Sequence, residues 1–444
     1  MVSNEVETFA GPRPSAADAM RRLIHGASWN LVAVSFSQGV TFATNVLIAR
    51  SLGREAFGQY AVVQGMLVTA IGVLQTSMGG TAAKYVAELR NSRPELAGAI
   101  IRLCGMLTLV MSCLGGLLMA GGAQWIATAV YRAPQLVFGF YAGSVFLLFS
   151  TLNGFQMGVL SGLESYRSLG FASATSGLAS LLVLIVAVWK FGLPGAFIAL
   201  GAGALIRWSL HALSLRSALK KSKLLLKKVP LATAFPTVLR FAVPSTLIGY
   251  VSLPALWAPV ALLARQSGGF GQMGSYAAAT NIRLLVLFLP QVLNTVGISI
   301  LNNHRHGAPA AYRLVHRSNI FVMAAANLAM AFVVLLTSRT VLSIFGKDFT
   351  GDSAVVWILL ASTVPECISI GLHQHLQTQE QMWRVLLWIS LPRETLVLVA
   401  AFLLVPSHGA RGLAFAYLLG TLLALTSYTI LVHRGRPVAT SAQL

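Results

Sequence analysis

Five charged residues fall inside long apolar stretches of this 444-residue chain, where a charge is costly and therefore informative. They are Arg207, Arg283, Glu366, Arg393 and Glu394. A charge at the centre of a membrane helix costs about 2.5–3.5 kcal/mol on insertion scales, so such a residue is expected to face water or protein. Guanidinium groups bind diphosphates and acidic sugars by paired hydrogen bonds, whereas carboxylates can carry a proton or a cation. Three arginines against two glutamates favour an anionic ligand.

Arg283 belongs to a polar stripe on one apolar helix. Asn294 lies eleven residues further on, nearly in the same direction around the helix, with Pro290 between them and Gln291 beside them. We therefore expect Arg283, Gln291 and Asn294 to face a central cavity and to bind substrate. The structural alternative is that Arg283 pairs with another helix or extends to the membrane surface.

Three of the other four intramembrane charges follow prolines closely. Pro392 precedes Arg393 and Glu394, and Pro365 precedes Glu366. Adjacent residues on a helix diverge by about 100°, so at least one of Arg393 and Glu394 is expected to find a partner on another helix. Arg393 is a candidate second cationic contact for substrate. Glu394 and Glu366 are candidates for proton or sodium coupling, and a structural ion pair or helix hinge is the alternative.

Uncharged polar residues recur on apolar helices of the first half of the chain. Several of these residues share one helix face, as expected for a hydrated surface that contacts sugar hydroxyls. The alternative is an interhelical hydrogen bond, each contributing about 0.6 kcal/mol in membranes. The candidate substrate contacts of this kind are Gln38, Asn45, Gln64, Gln75, Asn153 and Gln156.

Two further motifs have simpler interpretations. Lys84 and Glu88, four residues apart, form a surface pair or a contact of an inner gate. The segments His304-Arg305-His306 and His373-Gln374-His375 lack the acidic or cysteine residues that would complete a metal site, so we predict none. The chain has no glycine-rich nucleotide loop, and no cofactor is expected beyond a coupling proton or sodium ion.

The elements that must position these residues are membrane helices. The chain is 56% hydrophobic and 10% charged, with a mean hydropathy of +0.74. Apolar runs of about 20 residues, each long enough to span a bilayer, recur throughout it. The predicted spans are 29–49, 60–82, 98–120, 135–160, 169–189, 194–213, 241–263, 275–301, 318–337, 353–371, 385–405 and 411–432.

The net charge of +20 is explained by topology rather than by nucleic acid. Most of the 32 lysines and arginines fall in segments that are cytoplasmic if the N-terminus is inside, which predicts that both termini face the cytoplasm. Six spans precede the longest basic linker and six follow it. The predicted divisions are a cytoplasmic tail 1–28, an N-lobe 29–213, a cytoplasmic linker 214–240, a C-lobe 241–432 and a cytoplasmic tail 433–444.

Two phrases about 215 residues apart repeat each other. Residues 47–61 read LIARSLGREAFGQYA, and residues 262–277 read LLARQSGGFGQMGSYA. Arg50 and Arg265 are 215 residues apart, and Gly58 and Gly274 are 216 apart. Each phrase lies between two predicted spans. Membrane spans that repeat halfway along a chain are typical of transporters built from two like halves.

The first phrase and its continuation resemble a known family. After one span the chain continues as Gly79-Gly80-Thr81-Ala82-Ala83-Lys84-Tyr85-Val86-Ala87-Glu88-Leu89. This pattern resembles the polysaccharide (O-antigen and exopolysaccharide) flippase branch of the multidrug/oligosaccharidyl-lipid/polysaccharide exporter superfamily. In the second half, Tyr276-Ala277 and Leu287-Phe288-Leu289-Pro290 resemble it too. The resemblance implies an all-α, MATE-like fold of two six-helix lobes around a cavity that opens to each membrane face in turn.

The resemblance also implies a function. It is a flippase that carries polyprenyl-diphosphate-linked oligosaccharide from the cytoplasmic to the outer leaflet of a bacterial inner membrane, for cell-surface or exopolysaccharide assembly. Expected partners are the bilayer, the glycan lipid and other polysaccharide-assembly membrane proteins. One alternative is an ion-coupled multidrug or organic-cation exporter of the same superfamily. Another is a membrane enzyme that processes glycans, which the short predicted outer loops disfavour; a non-transporting assembly scaffold is a third.

Overall fold

The computed structural model describes residues 16–222, Pro230, Phe235, 253–304, 309–378 and 382–434. These residues form helices joined by short turns. Within them, seven helical segments are long and apolar enough to cross a membrane, and two of these contain two predicted spans each. Large apolar side chains such as Leu117, Trp189 and Phe321 point outward, as they do in a protein surrounded by lipid. The chain is an all-α polytopic membrane protein.

Four long helices make up the first half. Two of them contain one non-helical glycine that divides them into two arms, Gly53 in α1 and Gly192 in α4, so the four helices account for six predicted spans. A π-helical turn at Ile126–Val130 and a 3-10 turn at Pro134–Leu136 connect α2 with α3. The helices are α1 (Ala16–Leu89), α2 (Pro94–Trp125), α3 (Val137–Gly162) and α4 (Tyr166–Ser222).

The second half repeats this plan with more interruptions. A 3-10 turn at Lys347–Asp352 precedes α9, a π-helical turn at Leu386–Ser390 joins α10 to α11, and Gly409 divides α11 into two arms. The helices are α5 (Leu253–Ala264), α6 (Gly269–His304), α7 (Pro309–Leu336), α8 (Ser338–Phe345), α9 (Ser353–Thr378), α10 (Met382–Val385) and α11 (Leu391–Arg434).

The helices agree with the predicted spans, and the arrangement is consistent with twelve of them. Residues 241–252 of the seventh span, most of the predicted linker 214–240 and most of both predicted tails lie outside the described residues. Two helices extend past the predicted boundaries: α1 begins at Ala16 within the predicted N-terminal tail, and α4 continues to Ser222 within the predicted linker.

The internal repeat extends further than the two phrases. Gly192 and Gly409, 217 residues apart, have nearly the same backbone angles, with φ and ψ of 59° and −131° in the first and 55° and −129° in the second. Positive φ strains any residue with a Cβ atom, so glycine is the residue that turns the chain here without strain. Gly53 and Gly268, within the two phrases, also have positive φ.

The glycine turns lie together at one end of the molecule, which we name the hairpin end; the opposite end, with the turns after α1 and α3, is the linker end. The largest buried apolar cluster includes Phe57 and Tyr60 from the first half and Phe345 and Phe349 from the second. The core therefore joins the two halves near the hairpin end.

Candidate functional site

Four of the five charged residues singled out in the sequence meet in the second half, whereas Arg207 lies in α4 of the first half. The Arg283 guanidinium, from α6, forms an ion pair with the Glu366 carboxylate of α9. Its Nη2 atom also donates to the Tyr417 hydroxyl of α11 at 2.7 Å. The Tyr417 hydroxyl donates to Glu366 Oε1 at 3.3 Å. Arg283 is buried. The structure therefore contains the pair with another helix that was the structural alternative for this residue.

Arg393 joins the same network through Tyr417. Its Nη2 atom donates to the Tyr417 hydroxyl at 3.2 Å. Tyr417 lies on the other arm of α11, so Arg393 has a partner outside its own span, as we expected for at least one residue of this pair. Arg393 also pairs with the adjacent Glu394, with 3.3 Å between Nη1 and Oε1. The two guanidinium carbons lie 4.4 Å (Arg283) and 5.6 Å (Arg393) from the centre of the Tyr417 ring, within the range of cation–π contacts.

A cavity of about 260 Å³ borders this network. Arg393 and Glu366 are both part of its wall, and about 29% of the Arg393 side chain is exposed, whereas Arg283 is buried behind them. His373 and Tyr428, whose Nδ1 and hydroxyl atoms are 3.1 Å apart, line the part nearer the linker end. Two guanidiniums and two carboxylates make the network neutral when all are ionised. Neutralising either carboxylate would leave a net positive site beside the cavity.

The polar candidates of the first half lie in other surroundings. Asn45 is buried, and its amide donates to Asn281 Oδ1 of α6 at 2.7 Å, which links the two halves. Gln156, with its amide oriented so that both atoms are satisfied, donates to the Trp208 carbonyl at 3.0 Å and accepts from the Trp208 indole N–H at 3.1 Å. Buried Asn153 approaches the Met157 sulfur at 3.6 Å. These contacts are of the interhelical and local kind given above as the alternative to substrate binding.

The remaining candidates differ in their exposure. Gln38 and Gln64 are half-buried, and Gln291 is exposed. Lys84 and Glu88 are both exposed near the linker end of α1, with the Lys84 ammonium 5.3 Å from the centre of the Tyr85 ring. The side chains of Gln75 and Asn294 lie outside the described residues, as do those of His304, Arg305 and His306.

The two repeat phrases contact each other at the hairpin end. A Cβ atom on Gly58 would overlap the carbonyl oxygen of Phe270 and would lie 2.8 Å from the Gly274 nitrogen. A Cβ atom on Gly274 would in turn overlap the carbonyl oxygen of Arg54. Glycine at both positions therefore allows the two halves to approach backbone to backbone.

Side chains from each half also bind the other half at the hairpin end. Arg54 of the first half pairs with Asp352 at 2.6 Å and donates to the Gly271 carbonyl at 2.8 Å. Arg265 of the second half donates to the carbonyls of Ala129 and Val130 in the π-helical turn.

Aromatic rings from the two halves pack against each other near these polar contacts. The Phe42 and Phe345 rings are 5.5 Å apart, and those of Phe57 and Phe349 are 6.0 Å apart. Each pair joins one half to the other, so the hairpin end is closed in this structure.

Sequence reasoning missed Tyr417, Asn281 and Asp352. Tyr417 is neutral, and an aromatic residue in a span gives no sign of unusual cost. Asn281 lies two residues before Arg283, about 200° away around the helix, so the polar stripe through Arg283 does not point to it. Asp352 lies in a predicted outer loop, where a carboxylate needs no partner.

The fold is that of a class of membrane transporters. A multidrug resistance MATE family transporter of the MOP superfamily, solved in an inward-facing conformation, superposes with a TM-score of 0.76 at 15% identity, covering 91% of this chain and 98% of that one. The lipid II flippase MurJ in its inward closed conformation superposes with a TM-score of 0.65 at 14% identity, covering 90% and 87%. The predicted MATE-like fold is confirmed.

One relative has a name that refers to polysaccharide export. Over 389 residues the chain is 24% identical to the EPS I polysaccharide export inner membrane protein EpsE of Ralstonia solanacearum, with 84% of each chain covered. No family model matches the chain. The resemblance to polysaccharide exporters that the repeat phrases indicated is thereby confirmed.

Proposed function

We propose that this chain is a flippase that moves a polyprenyl-diphosphate-linked oligosaccharide from the cytoplasmic to the outer leaflet of a bacterial inner membrane. The observation that carries the proposal is the cavity whose wall holds Arg393 beside Glu366 in the second half. A guanidinium away from bulk water binds a diphosphate strongly, because hydrogen bonding and charge attraction both increase there. The fold and the relative named for polysaccharide export support transport rather than catalysis.

The two arginines have different roles in this proposal. Arg393 is exposed to the cavity and contacts the diphosphate, whereas buried Arg283 holds Glu366 and Tyr417 in position. The cavity, at about 260 Å³, is smaller than typical pockets of about 300–1,000 Å³ for drug-sized ligands. It therefore accommodates the diphosphate and adjoining atoms only. The sugars contact polar side chains such as Gln38, Gln64 and Gln291, and the prenyl chain remains in lipid.

Ion coupling follows from competition for the guanidiniums. Glu366 and Glu394 occupy Arg283 and Arg393 when no substrate is bound. A proton or sodium ion on either carboxylate removes negative charge beside Arg393, so that its guanidinium binds the diphosphate more strongly. Ion binding and substrate binding at this site then favour each other.

Alternating access explains how the substrate crosses the membrane. The charge bias predicts that the hairpin end faces outward and the linker end faces the cytoplasm. With the hairpin end closed and the cavity nearer the linker end, the described state receives substrate from the cytoplasm. Lys84 and Glu88, at the linker end of α1, would contribute to an inner gate.

A reconstituted leaflet-transfer assay tests the proposal. Liposomes holding the protein are supplied with a fluorescent polyprenyl-diphosphate glycan, and its movement is followed by quenching from outside. We expect transfer by the wild type and by Arg393→Lys, and a loss of about tenfold or more in Arg393→Gln. Uptake of organic cations without glycan transfer would contradict the proposal and favour the multidrug alternative.

The coupling role has its own readout. Glu366→Gln imitates the protonated carboxylate while keeping an acceptor for Arg283. We expect substrate binding by this variant to be as tight as in the wild type or tighter, with a weaker dependence on pH. If Glu366→Gln and Glu394→Gln both retain the full pH dependence, the carboxylates have no part in coupling.

A further inference from the structure

A second cavity, of about 730 Å³, opens at the linker end of the first half. It lies between the first arm of α1 and the two ends of α4. Phe36, Phe171 and Leu213 line it, and these large apolar side chains are 37%, 73% and 58% exposed. Side chains of this kind are covered in a membrane by lipid or by another apolar surface.

Two cations stand in the wall of the same cavity. Arg167 lies in the first turn of α4 and Lys221 in its last turn, and the turn at Gly192 brings these two ends together. The helix N-terminus near Arg167 adds a partial positive charge. The hydroxyl of Ser217 lies in the wall as well, and among the described residues that line the cavity none is acidic.

The combination of apolar and cationic side chains in one cavity fits a lipid with a phosphate headgroup. Basic pockets between membrane helices on the cytoplasmic side bind anionic headgroups. A free phosphate would gain nothing from the exposed phenylalanines. Bilayer phospholipids far outnumber polyprenyl carriers, so mass action favours a phospholipid at a site without sugar-specific contacts.

We propose that this cavity binds an anionic phospholipid of the cytoplasmic leaflet. Its phosphate lies between Arg167 and Lys221, and an acyl chain lies along Phe36, Phe171 and Leu213. Because Phe36 belongs to α1 and the other residues to α4, the lipid joins these helices and stabilises their packing. The proposal uses the predicted membrane orientation and is independent of the transported substrate.

The test compares lipids with the same acyl chains but different headgroups. The full chain is purified in detergent and delipidated, and retention of added dioleoylphosphatidylglycerol or dioleoylphosphatidylcholine is measured by native mass spectrometry. We expect the wild type to prefer phosphatidylglycerol and the variant Arg167→Gln/Lys221→Gln to bind it about tenfold more weakly. The matched control, Arg216→Gln/Lys220→Gln, removes two exposed cations of the same helix end that do not line the cavity, and it should bind like the wild type.

Further arms separate the possible ligands. Phe171→Ser should weaken phosphatidylglycerol binding, because it removes an apolar wall while leaving both cations. Equal loss of phosphatidylglycerol in the cavity variant and the control would overturn the proposal, since any surface cation would then serve. Displacement of the lipid by millimolar inorganic phosphate would indicate an anion site, and retention of polyprenyl phosphate in place of phosphatidylglycerol would indicate the carrier lipid. Either result would contradict the assignment to a phospholipid.

Discussion

The two halves of this protein share their backbone plan but differ in what they bury. Gly192 and Gly409 turn the chain with the same angles in the two halves. In the second half, two arginines, two glutamates and Tyr417 form one connected network beside a cavity. In the first half, pairs such as Gln156 with Trp208 and Ser173 with His211, at 3.2 Å, contain neither a guanidinium nor a carboxylate.

The repeated backbone therefore serves as the scaffold, whereas the charged groups are concentrated in the second half. Duplicated hairpins and the glycine contact between them supply a symmetric closure of the hairpin end. A charge network costs stability in a membrane, and under the proposed function one copy is enough to bind one headgroup. The second half is therefore expected to respond to changes of charge, and the first half mainly to changes of shape.

The largest effect is expected from Glu366→Ala, which leaves buried Arg283 without its carboxylate. Removing one partner of a buried ion pair costs about 3–5 kcal/mol, and because Glu366 is 24% exposed we expect the lower end of that range. Thermal unfolding in detergent measures the change. The double variant Arg283→Met/Glu366→Met should recover most of the stability without recovering transport. A double variant as unstable as the single one would argue against the pair.

The next largest effect is expected from Gly58→Ala. The new methyl group overlaps the Phe270 carbonyl, so the two halves must separate at the hairpin end. Overpacking of this kind costs about 1–3 kcal/mol, which raises the ratio of open to closed molecules by about 5- to 150-fold. Spin labels at Ser51 and Thr340, both exposed, report the separation once exposed Cys113 has been replaced.

Gly65→Ala is the matched control for that experiment, because a Cβ atom on Gly65, in the same helix, meets nothing within 4 Å. Its label distances should equal those of the wild type. An unchanged distance in Gly58→Ala as well would mean that the contact between the phrases does not hold the halves together.

A smaller effect is expected from Arg54→Gln, which breaks the pair with Asp352. The two side chains are 31% and 26% exposed, so the pair contributes about 1 kcal/mol at most. The ratio of closed to open molecules should fall by up to about fivefold, measured with the same labels. Arg50→Gln, an exposed arginine of the same phrase, should leave the distances unchanged. Equal shifts in both variants would indicate a general effect of charge at this end.

The smallest effect is expected from Gln156→Leu in the first half. An interhelical hydrogen bond in a membrane contributes about 0.6 kcal/mol, so a double-mutant cycle with Trp208→Phe should give a coupling of that order. Glycan transfer should be nearly unaffected. A zero coupling together with lost transfer would place Gln156 in the substrate path after all.

Features set by apolar length and by repetition could be predicted from the sequence. The long apolar runs predicted the helices, and the phrases around Gly53 and Gly268 predicted two like halves. The equivalence of Gly192 and Gly409 was not predicted, although each is followed three residues later by a second glycine, because so short a spacing recurs by chance. Its backbone angles became apparent only in the structure.

The candidate site was predictable in its charges but not in its connections. Arg283, Glu366 and Arg393 stand out because charge is rare in an apolar helix. Tyr417, which joins them, does not stand out. The contact between Arg393 and Glu394 was also missed, since backbone directions do not determine where a long flexible side chain ends.

The most direct measurement compares one arginine from each half. Wild type, Arg393→Gln and Arg207→Gln are placed in nanodiscs, and the affinity for a polyprenyl diphosphate without sugars is determined. If the second half holds the diphosphate, Arg393→Gln binds it about tenfold more weakly and Arg207→Gln binds within about twofold of the wild type. Wild-type affinity in Arg393→Gln, or a loss confined to Arg207→Gln, would contradict the account.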